Sequence, residues 1–410
     1  MRGQNGGTVN VMTPTPRLAA ASAGQLLELV RRRGGLSRQQ LLAETGMSRG
    51  TLYGRLDALH RHGFVYEAES LGVTGGRRAR RVRFDDRGRV LLTIDLGQTR
   101  ARVSVTDLDG AEQRHDTLAL PAADRAAAAV LDPVLARAER LLAGGGERLV
   151  GVGVGAPAAV DPGSGAIVRA TRPGWSPDTV LDAVAARWPL PTVVENDARA
   201  AALGECRDAG ETLVYVKVAT GLGCGIVVGG EVLRGARGLA GDIGHVRVAP
   251  LDPAVPAPVC RCGRAGCLAA YSSGRALLQR VGGRGIRSIG ALVAAAAAGD
   301  REVRAELIAA ADVLGAALAA TVTTVNPHRL VLGGALGVLP ELVDRVRDRI
   351  LATVDALAVP LVLGSVLGDA ATARGLARLV VQLAFAPAAV DAVVADAAPR
   401  HGAGSTDPRP

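Results

Sequence analysis

The chain has 410 residues and a formal net charge of +9, long enough for two or three domains that each bury a core of their own. Its hydrophobic share is 48% but aromatics make up only 2%, so those cores must be packed from Ala, Val and Leu. The composition excludes a membrane span: the longest apolar stretch, near Ala310 to Val325, is interrupted by Asp312 and several Thr and suits a buried core helix. Residues 1–17 contain no apolar segment ahead of a small-residue cleavage site. The expected location is therefore the cytoplasm, where clustered thiols bind metal instead of pairing.

Charge is unevenly spread. Residues 1–90 hold 16 Arg against 7 acidic residues, a net +9 that equals the whole chain's 48 minus 39, so the remaining 320 residues sum to zero. A basic head on a neutral body suits a polyanion binder joined to a separate ligand-binding or catalytic unit. Arg used in place of Lys, in a chain whose only lysine is Lys217, explains the residue choice but not its concentration in one segment. The expected organisation is a flexible arm over 1–20, a head over 21–86, a body over 90–385 and a flexible tail over 386–410, which drifts into Ala, Pro, Gly and Ser.

In the head, Ser22 to Arg33 reads as a helix closed by Gly34-Gly35, with Leu26, Leu27, Leu29 and Val30 inward. Ser37 and Gln40 have capping-box spacing for a second helix to Glu44, and Thr45-Gly46-Met47 makes a tight turn. Ser48 can cap a third helix to His62, with Leu52, Leu56 and Leu59 at core spacing. Phe64 to Tyr66 and Val82 to Phe84 read as a hairpin around an Arg-rich loop. This is the pattern of a winged helix-turn-helix, whose third helix enters the major groove of double-stranded DNA. Arg49, Thr51, Tyr53 and Arg55 are then the candidates for base or phosphate contact, and Arg77, Arg78 and Arg80 of the wing for phosphates or a minor groove. Three-helix modules also dock proteins, and a charge run is usually a solvated face.

In the body, an apolar strand over Val90 to Ile94 ends in Asp95-Leu-Gly97-Gln98-Thr99, followed by a strand over Ala101 to Thr106. A carboxylate and a glycine turn at a hairpin mouth can hold a nucleotide's phosphates and its magnesium, although most glycine hairpins bind nothing. Thr192 to Val194 leads into Glu195-Asn196-Asp197 and an Ala-rich helix. Asn and Asp are ordinary helix caps, yet a carboxylate at a strand's carboxyl end is also where α/β sites lie. Between strands over Thr212 to Val218 and Ile226 to Val228, the loop Thr220-Gly221-Leu-Gly223-Cys224-Gly225 offers backbone N–H groups to another phosphate, or simply turns the chain.

Three of the five cysteines fall within eight residues, Cys260-Arg-Cys262-Gly-Arg-Ala-Gly-Cys267, with His245 fifteen positions upstream. Cys-x-Cys pairing is strained and an odd set leaves a free thiol. His245, Cys260, Cys262 and Cys267 therefore read as a tetrahedral set for zinc, closed and structural. Further on, Asn326 to Gly334 looks like a strand entering a glycine turn, and no internal repeat is apparent.

Together these residues resemble the ROK family of sugar kinases and repressors: the winged head, Asp95-x-Gly97-x-Thr99, Glu195-Asn-Asp-Ala198, the loop from Thr220, Gly241-Asp-x-Gly-His245 and the cysteine motif. The resemblance implies an α/β body with a two-lobed actin-like (ribonuclease H-like) ATPase and sugar kinase fold. Its first lobe would span about 90–194 plus the C-terminal helix, its second about 195–372. It also implies a zinc beside a sugar cleft, assembly as a homodimer or homotetramer, and a transcriptional regulator of sugar metabolism. Asn196, Asp197, Asp242 and His245 match the family's sugar ligands, and Asp197 matches the base that takes the hydroxyl proton in the kinases.

Two departures bear on activity. Asp242 stands where the family has Glu, and Ala269 stands where it has Glu two residues after the last Cys. Losing such a partner costs roughly 1.5–3 kcal/mol of sugar affinity. Gln98 also replaces a glycine common in the kinases, and Cys224 interrupts the second loop. The resulting expectation is a repressor of sugar genes that binds a palindromic operator, senses a sugar or sugar phosphate and phosphorylates it poorly. ATP with magnesium enters only if kinase activity persists. Two alternatives stand beside it: a sugar kinase with a DNA-binding head, and a docking protein for a transport component, with the Pro-rich insert Ala249 to Val259 as its loop.

Overall fold

The computed structural model describes residues 22–69, 80–121, 126–170, 178–249 and 254–396. The chain forms two units, one from the residues through Arg87 together with those from Ala384 onward, the other from Gly88 to Leu383.

The head contains α1 (Ala23–Arg32), β1 (Leu36–Ser37), α2 (Arg38–Thr45), α3 (Arg49–Arg61), β2 (Val65–Glu69) and β3 (Arg80–Phe84). The capping residues read from the sequence do the capping. Ser37 accepts from the Gln40 N–H while Gln40 reaches back to the Ser37 N–H, and Ser48 accepts from Thr51. Ser22 and Gln25 form a second capping box on α1. Gly46 closes α2 at φ 66°, a left-handed conformation that glycine adopts without strain. Leu26, Leu27, Leu41, Leu52, Leu56 and Leu59 are buried, each contributing on the order of 1.5–3 kcal/mol. The sheet order β1-β3-β2 adds to the hairpin a short strand that the sequence reading lacked.

The loose tail expected from residue 386 is corrected. Pro387–Asp396 is a helix packed on α1, with the Gly24 N–H donating to Asp391 Oδ1 at 2.8 Å and Pro387 pressed against Gly24. Phe385 stacks edge-on to Phe84 at 4.9 Å and to Phe64 at 6.3 Å, so the chain's three phenylalanines meet in the head. The tail beyond 396 and the arm over 1–20 lie outside the described residues.

The body is built on two five-stranded sheets. The first uses β4 (Arg89–Leu96), β5 (Arg100–Thr106), β6 (Glu112–Ala119), β7 (Arg148–Ala156) and β10 (Thr192–Asn196), in the order β10-β7-β4-β5-β6. It is covered by α4 (Ala127–Ala143) and α5 (Thr179–Ala185), and β8 (Ala158–Val160) and β9 (Ile167–Ala170) form a side hairpin. The chain then enters α6 (Asp197–Glu205) and the second sheet, β11 (Leu213–Val218), β12 (Leu222–Val228), β13 (Glu231–Val232), β14 (Arg329–Gly333) and β15 (Leu361–Gly364), ordered β13-β12-β11-β14-β15.

Each sheet is an antiparallel meander of three strands with two parallel strands added beside the first. The topology is therefore duplicated although no repeat shows in the sequence. Helices α7 (Leu268–Ser272), α8 (Gly274–Val281), α9 (Ile289–Ala297), α10 (Arg301–Val325), α11 (Gly334–Gly337) and α12 (Pro340–Leu351) belong to the second half. By length and composition α10 could cross a membrane. Instead its Leu307, Leu314, Leu318 and Val322 are buried in one core with the sheet residues Val214, Val216 and Leu330. Helix α13 (Ala370–Ala384) lies close to β7 because Gly151, Gly153 and Gly155 leave room for Val380, Leu376 and Thr372. Pro387–Asp396, the head helix already described, is α14.

Candidate functional site

Two polar clusters form in the body. The first gathers His245, Cys260, Cys262 and Cys267, whose ligand atoms all lie within 4.8 Å of one another. A single turn over Ile243–His245 brings in the histidine, and Gly263 and Gly266, at φ 85° and 80°, fold the cysteine loop back on itself. His245 Nδ1 faces Cys260 Sγ at 3.8 Å, and Cys262 Sγ lies 3.6 Å from Cys267 Sγ. A tetrahedron with metal–ligand bonds of about 2.0–2.3 Å has edges of roughly 3.3–3.8 Å, which the 3.6 and 3.8 Å pairs match and to which the wider pairs, up to 4.8 Å, would draw in, so the donor set suits such an ion. The Arg264 backbone N–H and guanidinium pull Cys262 down to about 6, whereas burial pushes Cys267 up to about 11. With Nδ1 turned to the thiols, the other ring nitrogen of His245 is left for a second partner. Ala269 packs beside Gly244, so the position where the family's Glu is missing borders this turn.

The second cluster lies where β4, β10 and β11 end and α6 begins. Asn196 caps α6: its Oδ1 accepts from the Ala198 and Arg199 N–H groups, both at 3.1 Å, and its Nδ2 donates to the Ala158 carbonyl at 3.0 Å. Beneath it, Glu195 is buried between Arg199 at 2.8 Å and Arg234 at 2.7 Å, and Arg199 also holds the Gly238 carbonyl. This ties α6 to the loop that leads to Asp242 and His245.

Asp197 Oδ1 accepts from the Ala198 N–H at 2.9 Å, and Oδ2 accepts from Lys217 Nζ at 2.8 Å. The same ammonium lies 3.4 Å from Asp95 Oδ2. The sequence reading did not place Lys217 in the site. Burial pulls Lys217 down, but the carboxylates of Asp197 and Asp95 outweigh it and hold the amine above the ordinary lysine value. Burial raises Asp95 against the opposing pull of Lys217.

The two expected phosphate loops do meet, but through Gln98. Its amide lies over Gly221 and accepts from Arg275 Nη2 at 2.9 Å, while the Thr220 carbonyl takes the Arg275 N–H at 3.1 Å. Gly97 turns the first hairpin, its N–H donating to the Arg100 carbonyl, and Thr99 is exposed beside it. The second loop is shorter than expected. Gly223 and Gly225 belong to β12 and are small because Ala198 of α6 packs against them, which accounts for both glycines without a phosphate.

In the head, Arg49, Thr51 and Tyr53 are exposed on α3, and the Arg38 guanidinium stacks 4.7 Å from the Tyr53 ring. Arg55 is half-buried against Met47, and Arg80 is exposed near Glu67. Arg77 and Arg78 lie outside the described residues.

Residues 91–383 match the ROK family, and residues 19–69 match the IclR helix-turn-helix domain. A xylose repressor of Caldicellulosiruptor bescii is 26% identical over 76% of this chain and 83% of its own length. A glucokinase of Halalkalibacterium halodurans is 32% identical over 46% of this chain and 62% of its own. The chain thus spans less than two thirds of that relative. The crystal structure of a ROK family transcriptional regulator, a homolog of the E. coli MLC protein, superposes with a TM-score of 0.72 over 91% of this chain and 98% of its own at 22% identity, a likeness of fold. The sequence match over the body and the duplicated sheets agree: the chain belongs to the ROK family and carries a helix-turn-helix domain ahead of its ROK domain.

Proposed function

We propose that this protein is a DNA-binding transcriptional regulator, a repressor of sugar genes, whose ROK body responds to a sugar or sugar phosphate. The observation that carries the reading is a basic helix-turn-helix, with Arg49, Thr51 and Tyr53 exposed on its third helix, joined to a ROK body whose would-be base is already engaged. Both Asp197 oxygens accept hydrogen bonds from within the chain, so the carboxylate is placed to hold a hydroxyl more readily than to take its proton. The xylose-repressor relative supports the same reading.

Asn196, Asp197, Asp242 and His245 would face the sugar. Zinc, bound by His245, Cys260, Cys262 and Cys267, would fix the His245 ring beside them and carry out no chemistry. Ligand binding would turn one lobe against the other and change the spacing of two heads in a homodimer or homotetramer. Heads about 34–36 Å apart fit successive major grooves of a palindromic operator.

Fluorescence anisotropy on DNA from the chain's own promoter region tests this. Salt-sensitive binding is expected, with a slope of about −0.9 per phosphate contact, together with release by one sugar of a pentose and hexose panel. Salt-insensitive binding, or robust ATP-dependent turnover of a sugar, would sink it. The docking alternative has one observation in its favour: Val246, Val255 and Val259 are more than half exposed around the cysteine loop.

A further inference from the structure

The single lysine of the chain stands where the duplicated sheets place equivalent residues. β4 and β11 are the first strands of their sheets. Asp95 and Lys217 each precede the last cross-strand pair of their hairpin, Leu96 with Ala101 and Val218 with Leu222. Each also lies beside a glycine of the adjacent parallel strand, Gly155 and Gly333. A carboxylate of one half thereby meets an ammonium of the other at 3.4 Å, with Asp197 at 2.8 Å.

We propose that Lys217 is a resident cation standing in for a nucleotide's magnesium between Asp95 and Asp197, so that the cleft receives a hydroxyl-bearing ligand and refuses magnesium-ATP. The inference rests on the reading of this cleft as a sugar receptor. Magnesium demands about six oxygen ligands at roughly 2.0–2.1 Å in near-octahedral array. Here the inward oxygens of both carboxylates point at a nitrogen that already carries positive charge and would repel a dication. Gln98, bonded to Arg275 and lying over Gly221, fills the space between the loops that would cradle phosphates. The family's magnesium-nucleotide does not fit these residues.

What remains open suits a hydroxyl. Asp95 Oδ1 is buried without a hydrogen-bond partner among the described residues, and two of the three ammonium donors of Lys217 are engaged. A hydroxyl both donates and accepts, so it satisfies Asp95 Oδ1 whether or not that oxygen carries a proton, and it can take the third Lys217 N–H. A phosphate oxygen only accepts and would face the carboxylate unpaired.

Because Lys217 is the only lysine, the full chain labelled with 13Cε-lysine gives one side-chain resonance that reports on this site. With millimolar AMPPNP and manganese as a paramagnetic stand-in for magnesium, the line should stay sharp. It should shift with any sugar that releases DNA. Lys217→Met should bind manganese-AMPPNP roughly tenfold tighter or more, and Lys217→Arg should keep the exclusion. Saturable broadening of the wild-type line by manganese-AMPPNP overturns the proposal. So does a folded Lys217→Met without the gain, or a line unmoved by a sugar that releases DNA. If Lys217→Met does not fold, the wild-type line decides alone. A chain that binds no DNA yet keeps a sharp line under manganese-AMPPNP sinks the regulator reading and leaves this one standing.

Discussion

The cysteine cluster and the lysine cluster are both polar groups gathered at loop ends in the same body, yet they solve opposite charge problems. Three thiols and an imidazole, with only the Arg264 guanidinium beside Cys262, form a set that an ion from solution would complete. Asp95 and Asp197 have Lys217 between them, so the cation is part of the chain. With zinc bound as proposed, one site would be tuned by metal supply, while the other is fixed by the gene.

Removing the external ion should produce the largest effect. Structural zinc is bound with about 10 kcal/mol or more in small zinc domains, so Cys267→Ser should lower metal content from one ion per chain to none and abolish sugar-driven DNA release. Elemental analysis with anisotropy reads both. A metal-free protein with an intact sugar response would erase the contrast.

Removing the internal cation should cost less. Lys217→Met leaves two carboxylates facing each other and should lose about 3 kcal/mol of stability at neutral pH. The folded-state value of Lys217 lies above the ordinary one. Its stabilisation is therefore complete below the ordinary lysine range and is lost as pH climbs through the folded value. Urea titrations should show a gap between wild type and variant that holds from neutral pH up to about pH 10 and narrows above it. A gap that closes near neutral pH would assign the charge elsewhere.

Smaller effects sharpen the boundary between the two clusters. Asn196→Ala removes the acceptor for the Ala198 and Arg199 N–H groups and should cost about 1 kcal/mol, most of it regained in Asn196→Asp, which keeps the cap. Ala269→Glu should move stability by no more than about 0.5 kcal/mol and raise sugar affinity roughly tenfold by restoring a charged partner next to Gly244, as calorimetry would show.

Much of this was legible where a local rule decides the structure. Ser37, Gln40 and Ser48 announce helix starts because caps act within a few residues, and the cysteine spacing announces its own convergence. The lysine cluster was hidden, since Asp95, Asp197 and Lys217 come from three strand and helix ends that only tertiary pairing brings together. A signal was available: a lone lysine among 47 arginines (48 minus 1), placed near the end of an apolar strand, has no reason to be surface decoration. Gly223 misled because a glycine that admits a packed helix looks the same as one that admits a phosphate. Helix α14 was missed because its Ala-rich, Pro-flanked composition resembles a linker. Phe385, one of only three phenylalanines, was the residue to heed.

Because α14 belongs to the head, the polypeptide crosses between head and body twice, once after Arg87 and again after Leu383. A module joined through one chain segment can swivel about it, while one joined through two is more restricted. Cleaving the second connection, by a protease site placed between Leu383 and Phe385, would leave the head joined through one segment without touching a single DNA-facing or ligand-facing residue.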